Sequence, residues 1–318
     1  MEEKKYNAIT YFKNYSPTFF SFLNFYSEIW DCKQFFFLIG YTDKTNYDYI
    51  KNTYIENDSV SSTRVNFENK YMKNIEIYKI HKNNRNCIFI LYETPLFYSS
   101  PSEFNIIKIT FYKLLIQLQY MNTIDFFISV DDDEFLYSSN MKYLKEQIKS
   151  SGKHRFHFIE SYQSDKVEKL KFCLQPWYFN AYDRKKTPYT YHPCKTYLFD
   201  LNKNKGKFNI LLGLWRHDCC DVSNTGCELV EEKKDNIDIN ELKNIGICYH
   251  ITGLTLKNLW YVKGKNRFSQ NAKTSNYKNF LTDYPKIENT YKMFEDKFVF
   301  TNIIQKRDIE LLKECELK

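Results

Sequence analysis

The sequence predicts an α/β fold that keeps its ligand chemistry at the carboxyl ends of parallel strands, and three observations carry that expectation. Over the first 160 residues, apolar runs of strand length alternate with stretches of helical periodicity, the signature of strand–helix–strand units. The apolar run Phe126-Phe127-Ile128-Ser129-Val130 leads directly into Asp131-Asp132-Asp133-Glu134-Phe135, placing an acidic cluster where a buried strand leaves its sheet. The chain of 318 residues can bury a large core, and no low-complexity linker or internal repeat divides it. One domain built of two parts is therefore expected.

The elements follow in order. Tyr6 to Tyr11 reads as a first strand. Ser16 is the expected N-cap, with Pro17 at the first helical position, of a helix whose apolar residues Phe19, Phe20, Leu23, Tyr26 and Trp30 recur at helical spacing. Gln34 to Tyr41 is the second strand, and Cys87 to Tyr92 another. Residues 42–75 are polar with weak periodicity and receive no element. A helix opens at Ser102 or Glu103 and sets Phe104, Ile107, Phe111, Leu114, Leu115 and Leu118 on one face. After the strand into the acidic cluster, Ser138 to Ile148 reads as a helix closed by Gly152, and His154 to Ile159 as a strand. Further strands are expected at Phe172–Trp177, Thr196–Phe199, Phe208–Trp215 and Gly246–His250, and helix over 254–318.

Composition excludes several classes. Hydrophobic residues make up 43% and aromatic residues 18% of the chain, which argues for a packed core and against disorder. The net charge of +7 is diffuse and suits an anionic small ligand. No basic block of the nucleic-acid-binding kind appears, and Lys203-Asn204-Lys205-Gly206-Lys207 reads as a solvated loop. Nine scattered cysteines, an odd number in a chain this long, do not form a disulfide framework and point to a reducing compartment. Met1-Glu2-Glu3-Lys4-Lys5 precedes no apolar segment of signal length. No run reaches the roughly 18 apolar residues a membrane-spanning helix needs. The expectation is a soluble cytoplasmic protein, with peripheral attachment to a membrane through a partner left open.

The acidic cluster carries the chemistry. Adjacent aspartates at a strand end repel one another and call for a counter-charge, and hard carboxylate oxygens suit magnesium or manganese. An Asp-x-Asp step sets two carboxylates on the same side of an extended chain. One cation held there can in turn hold a phosphate, which suggests a nucleotide-dependent transferase. The plainer alternative is a solvated acidic turn.

These residues carry a resemblance. A strand-borne Asp131-x-Asp133-Glu134-Phe135 in an α/β chain resembles the metal-binding motif of GT-A glycosyltransferases, specifically the family 2-like and family 92-like group. The opening Thr10-Tyr11-Phe12-Lys13-Asn14-Tyr15-Ser16, the Phe-rich helix and Phe35-Phe36-Phe37-Leu38-Ile39-Gly40-Tyr41 are similar to that group's first unit. So is Tyr249-His250 followed by Lys257 and by Lys263-Gly264-Lys265-Asn266-Arg267. The likeness runs over residues 6–270. It departs at Asn14-Tyr15, where the group commonly has Asn-Glu, in the segment 160–245, and at Cys219-Cys220.

The resemblance implies a GT-A, Rossmann-like sandwich with a mixed central sheet and a helical C-terminus. Residues 1–135 would be the nucleotide-sugar-binding half and 136–270 the acceptor half, with 271–318 a helical extension packed on them. It implies a hexosyl- or deoxyhexosyltransferase that moves sugar from a nucleoside-diphosphate sugar to a hydroxyl of a glycan or glycoprotein acceptor, with inversion. Asp133 would bind Mn2+ or Mg2+ directly, and Asp131 would contact ribose or metal. His250, at the end of a strand, is the expected third metal ligand, since imidazole suits manganese. The alternative for it is a hydrogen-bonded histidine at a sheet edge. Thr10, Tyr11 and Asp43, at the ends of the first two strands, would hold base and ribose, or else serve ordinary turns.

Lys257, Lys263 or Arg267 would steady the departing diphosphate, although a solvated helix face suits any one of them. Asp218 is the favoured base for the acceptor hydroxyl, with His217 and Glu160 as alternatives. Trp177 and Trp215 would form a sugar platform or sit in the core. His217-x-Cys219-Cys220 with Cys227 lacks a paired Cys-x-x-Cys and gives little support to zinc. Two other function classes stay open: a nucleotidyl- or phosphocholine-type transferase, and a degenerate transferase fold that only binds.

Overall fold

The structure, a computed structural model, describes residues 5–55, 61–65, 72–94 except 83, nine positions between 107 and 120, 125–151, 153–162, 171–173, 194–200, 243–244, 246–251, 293–295 and 302–316. Its elements in chain order begin with β1 (Tyr6–Lys13), α1 (Phe19–Glu28), β2 (Gln34–Tyr41) and α2 (Lys44–Ile50), which runs on into a π-helical turn, Lys51–Ile55. Next come β3 (Ser61–Val65), β4 (Lys73–Lys82), β5 (Arg85–Glu93) and α3, whose helical positions lie between 107 and 117. Then follow β6 (Phe126–Ser129), β7 (Glu134–Tyr137), α4 (Met141–Ser151) and β8 (Lys153–Tyr162). The last are β9 (Lys171–Cys173), β10 (Cys194–Asp200), β11 (Ile247–His250), β12 (Met293–Glu295) and α5 (Lys306–Glu316).

The strands form one mixed sheet in the order β12-β9-β8-β10-β6-β1-β2-β5-β4-β3, with β11 joined to β7 and β8. β6, β1, β2 and β5 are mutually parallel. β10 runs antiparallel between β6 and β8. Alternate side chains of the parallel strands feed two cores. Ala8, Phe35, Phe37 and Ile128 pack beneath α1 and α4, whereas Ile9, Phe36, Leu38 and Phe127 pack against α3. Parallel strands buried on both faces read as nearly continuous apolar runs, which is why β2 matches its sequence reading end to end.

The chain builds outward from β1 through β2 to β5, then returns by α3 to β6 on the other side of β1. That reversal makes the gap between β1 and β6 a topological switch point, where open α/β sheets bind ligands beyond the strand ends. Asp131 follows β6 at this place.

Several expectations change. β1 runs two residues past Tyr11, to Lys13. The stretch left unassigned holds α2, β3 and the start of β4. β4 escapes a periodicity reading because Glu76 and Lys79 interrupt it; the Glu76 carboxylate is satisfied only in the fold, by the hydroxyls of Tyr47 and Tyr78. Leu118, expected on the buried face of α3, is exposed just beyond its end. Residues 293–295, expected to be helical, form β12 against β9. No helix among the described residues is long and apolar enough to cross a membrane. Cys32, Cys87 and Cys248 are buried and outside any disulfide, and burial pushes the Cys87 thiol up to about 12.

The start of α1 also differs. Its N-cap is Thr18, without a side-chain cap bond, and its first turn holds no acidic residue and its last no basic one. A ten-residue helix is marginal alone. Distant residues supply both ends. The Asp308 carboxylate of α5 accepts from Phe20 N at 3.1 Å, Ser21 N at 2.6 Å and the Ser21 hydroxyl at 2.5 Å. At the other end Lys145 of α4 donates to the Ile29 carbonyl at 3.0 Å. Negative charge at the amino end and positive charge at the carboxyl end both complement the helix dipole.

Burial raises the Asp308 carboxyl to about 6, although its hydrogen bonds from Ser21 and Phe20 and the Arg307 charge pull it down. A raised acid gives stability that is complete below its unfolded value near 3.8 and is lost as pH climbs through about 6. Asp308→Asn keeps an acceptor oxygen and cannot ionise. Relative to this variant, the parent is expected to lose roughly 2 kcal/mol of unfolding free energy between pH 4 and pH 7. Urea melts at both pH values check this, and a constant difference between the two proteins contradicts it.

Candidate functional site

The acidic cluster is a tight turn between β6 and β7. Val130 N still donates to Ile9 O at 3.2 Å, extending the β1–β6 ladder by one bond. Glu134 N then closes back on Asp131 O at 3.1 Å. The Glu134 side chain, buried, accepts from Asp131 N at 3.0 Å, so this carboxylate shapes the backbone of its own turn.

The three aspartates meet three different surroundings. Asp132 turns toward the loop that leads into α1. Its Oδ2 accepts from the Ser16 hydroxyl at 2.6 Å and its carbonyl from the Thr18 hydroxyl at 2.8 Å. Ser16 is thus not the N-cap of α1; its hydroxyl is committed to Asp132. Asp133 turns the opposite way, and its Oδ1 lies 3.5 Å from Nε2 of His250. The Asp133 side chain is only 3% exposed and the imidazole 18% exposed, so the pair lies at a partly open edge. Its carbonyl accepts from Ile251 N at 2.7 Å, tying the turn to the end of β11. Asp131 is half-buried at the mouth of the turn.

Aromatic residues of α1 anchor the strand that follows. Phe135 packs edge-on against Phe25, with ring centroids 5.4 Å apart, and stacks at 6.5 Å on Tyr26. Phe135 is fully buried. The Tyr26 hydroxyl donates to Glu134 O at 2.8 Å and accepts from Leu136 N at 3.2 Å, while Trp30 Nε1 donates to Leu136 O at 2.8 Å. Burial pushes the Tyr26 phenol well above its usual value, keeping it a donor. In the π-helical turn, the Tyr54 hydroxyl accepts from Ser16 N at 3.0 Å and bonds Ser16 O at 3.2 Å.

A second set of polar atoms lies along the carboxyl edge of β1, β2 and β5. Asn14 takes a left-handed conformation, φ 57°, and its N–H reaches Gly40 O at 2.8 Å. Its Nδ2 donates to the Thr42 hydroxyl at 3.4 Å. Thr94 N donates to Tyr41 O at 2.9 Å. Asn14 Oδ1 and Thr94 Oγ1 are both buried without a hydrogen-bond partner among the described residues. Such atoms are costly in a native fold and ask for an explanation. Gly40 makes room for Tyr92 and Thr94 on this edge: a Cβ there would stand 3.0 Å from the Tyr92 ring and 3.1 Å from Thr94 Cγ2.

The structure brings Asp133 and His250 together, as expected of two ligands to one ion. Two donors each about 2.1 Å from an ion, at ordinary coordination angles, stand about 3.0–3.4 Å apart; the observed 3.5 Å lies just outside that span, at the length of a direct Asp–His contact. Asp131 sits in the same turn, but among the described residues no three His, Cys, Asp or Glu side chains gather around a common metal position.

The expected base-binding residues have these places in the fold. Thr10 is buried within β1 opposite Phe37, with its hydroxyl unpartnered. Tyr11 packs edge-on against Phe111, 5.7 Å away, in the core beneath α3. Asp43 caps α2, accepting from Asn46 N at 2.9 Å. Glu160 stands in register with His250 in the β8–β11 ladder. Asp218, His217, Lys257, Lys263, Arg267, Trp177, Trp215, Cys219, Cys220 and Cys227 lie outside the described residues. Sequence reasoning missed Ser16, Thr18, Tyr26 and Tyr54 as supports of the turn, and Asn14 and Thr94 at the sheet edge. A β1 read to its true end would have pointed to Asn14; nothing local signals the others.

No protein-family model matches this chain. No curated protein shows significant similarity to it.

Tyr26→Phe removes one hydroxyl and leaves a buried N–H and C=O of β7 short of a partner. It is expected to cost about 1–3 kcal/mol of stability, read from the shift of the urea midpoint. A loss below about 0.5 kcal/mol would show that the hydroxyl does not hold β7.

Proposed function

We propose that the protein is a metal-dependent glycosyltransferase of the GT-A type, transferring a sugar from a nucleoside-diphosphate sugar to a hydroxyl acceptor. The observation that carries this reading is the Asp133–His250 pair, 3.5 Å apart, where the acidic turn leaves a parallel strand at the switch point of a mixed sheet. The sheet itself supports the reading only at the level of a Rossmann-like α/β frame.

Asp133 and His250 would hold a Mn2+ or Mg2+ ion, with Asp131 on the same ion or on the ribose. Bound there, the ion would neutralise the diphosphate as it leaves. The chain's own contribution is preorganisation. Ser16, Thr18 and the Glu134 side chain hold Asp132 and the turn backbone. Asn14 Oδ1 and Thr94 Oγ1 supply hydrogen-bonding atoms at the strand ends, where a base edge would satisfy them. Asp218 remains the proposed base that takes the acceptor proton, with Lys257 and Lys263 proposed to meet the diphosphate.

Calorimetry with UDP, GDP and dTDP, with and without Mn2+, tests the reading. At least one nucleotide is expected to bind ten-fold or more tightly with Mn2+. Asp133→Ala should abolish that gain and His250→Ala should weaken it. Metal-independent binding, or an Asp133→Ala protein equal to the parent, would overturn the proposal. Pyrophosphate rather than nucleoside diphosphate among the products would assign the nucleotidyltransferase class.

A further inference from the structure

α5 lies far from the acidic turn in sequence, yet each step between them is a short hydrogen bond. Ile303 and Ile304 seat the segment before α5 in the core shared with α1, and Ile309 packs against it. Arg307 lays its guanidinium over the Phe20 ring, 3.9 Å from the centroid. Gln305 N donates to the Ser21 hydroxyl at 2.8 Å, and that hydroxyl donates on to Asp308. Asp308 also takes the Phe20 and Ser21 amides, so the first turn of α1 is closed by a carboxylate 287 residues away from Ser21. The residues just ahead of this turn are Ser16, Pro17 and Thr18, and the two hydroxyls among them hold Asp132.

Tyr54, Tyr26 and Trp30 add hydrogen bonds around the acidic turn. Burial above all raises the Tyr54 phenol, followed by Tyr49, with Tyr15 and Asp308 adding the smallest contributions. Tyr54 in turn bonds both the N–H and the carbonyl of Ser16. Farther along, Tyr26 of α1 and Trp30, two residues past its end, bond the carbonyls of Glu134 and Leu136. One helix therefore grips the acidic turn on both of its flanks, and its amino end is set by α5.

We propose that Asp308 is a positioning residue for the acidic turn, holding the first turn of α1 so that Ser16 and Thr18 fix Asp132 and leave Asp131 and Asp133 in place. The coupling runs through packed elements and hydrogen bonds, and it must be shown by a response at the turn itself. The consequence for ligand rests on the metal reading of the turn; the structural coupling does not.

The test is amide exchange in the full chain, comparing the parent with Asp308→Ala and Asp308→Asn. The probes are the amides of Asp131, Glu134 and Ile251, each bonded within or onto the turn. Asp308→Ala is expected to speed their exchange at least five-fold while amides of the β4–β5 hairpin keep the parent's rates. Asp308→Asn, which keeps an acceptor, should restore most of the protection. Turn amides that exchange as in the parent, or that accelerate only in step with the hairpin, overturn the proposal. If Asp308→Ala does not fold, Ser21→Ala, which removes one of the three donors, carries the same comparison. A Mn2+ titration of the same proteins separates the two ideas. A parent that binds no Mn2+ counts against the proposed function and leaves the exchange result to decide the coupling. A parent that binds, with a folded Asp308→Ala binding equally, counts against Asp308 as a positioning residue.

Discussion

Four consecutive carboxylates at one strand end cannot all face the same way, and the way they are parted organises the site. Glu134 folds back on the amide of Asp131, Asp132 is tied to Ser16, and Asp133 turns to His250. Each commitment recruits a different element: the turn itself, the loop into α1, and the end of β11. Removing water from a carboxylate is costly unless hydrogen bonds or opposite charge replace it. Burial of Asp132, Asp133 and Glu134 therefore demands these partners, and the surrounding architecture supplies them.

α1 is the element through which most of that support passes. Its aromatic face packs on the sheet, its approach holds Asp132, and its middle holds β7. The helix has no charge of its own to settle either end. Asp308 and Lys145 settle them from opposite sides, so the two halves of the chain meet across one short helix. A protein that uses a short helix as the spine of a charged site gains from having its ends closed by residues whose own positions are set by the core.

The extent to which this was legible in the sequence depends on how local each determinant is. β2 was readable to the residue because a strand buried on both faces is a continuous apolar run. β6 and the acidic turn were readable for the same reason, with the abrupt change from apolar to acidic residues marking the boundary. β4 was not, since its polar residue Glu76 is bonded by Tyr78 of its own strand and finds its second donor, Tyr47, only when α2 lies on the sheet. Ser16 followed by Pro17 is a sound local signal for a helix start, and it failed because Asp132 competes for the same hydroxyl with a charge.

The sequence alone determined the strand that delivers the carboxylates, the helical or extended character of the strongly periodic segments, and the Asp-x-Asp spacing of Asp131 and Asp133. Those features depend on neighbours within a few residues, and hydrophobic periodicity records them. Only the tertiary structure decided which carboxylate points where, that His250 stands beside Asp133, and that Asp308 closes α1. Those depend on partners more than a hundred residues apart, chosen by burial and hydrogen-bond satisfaction when the sheet and its helices pack together.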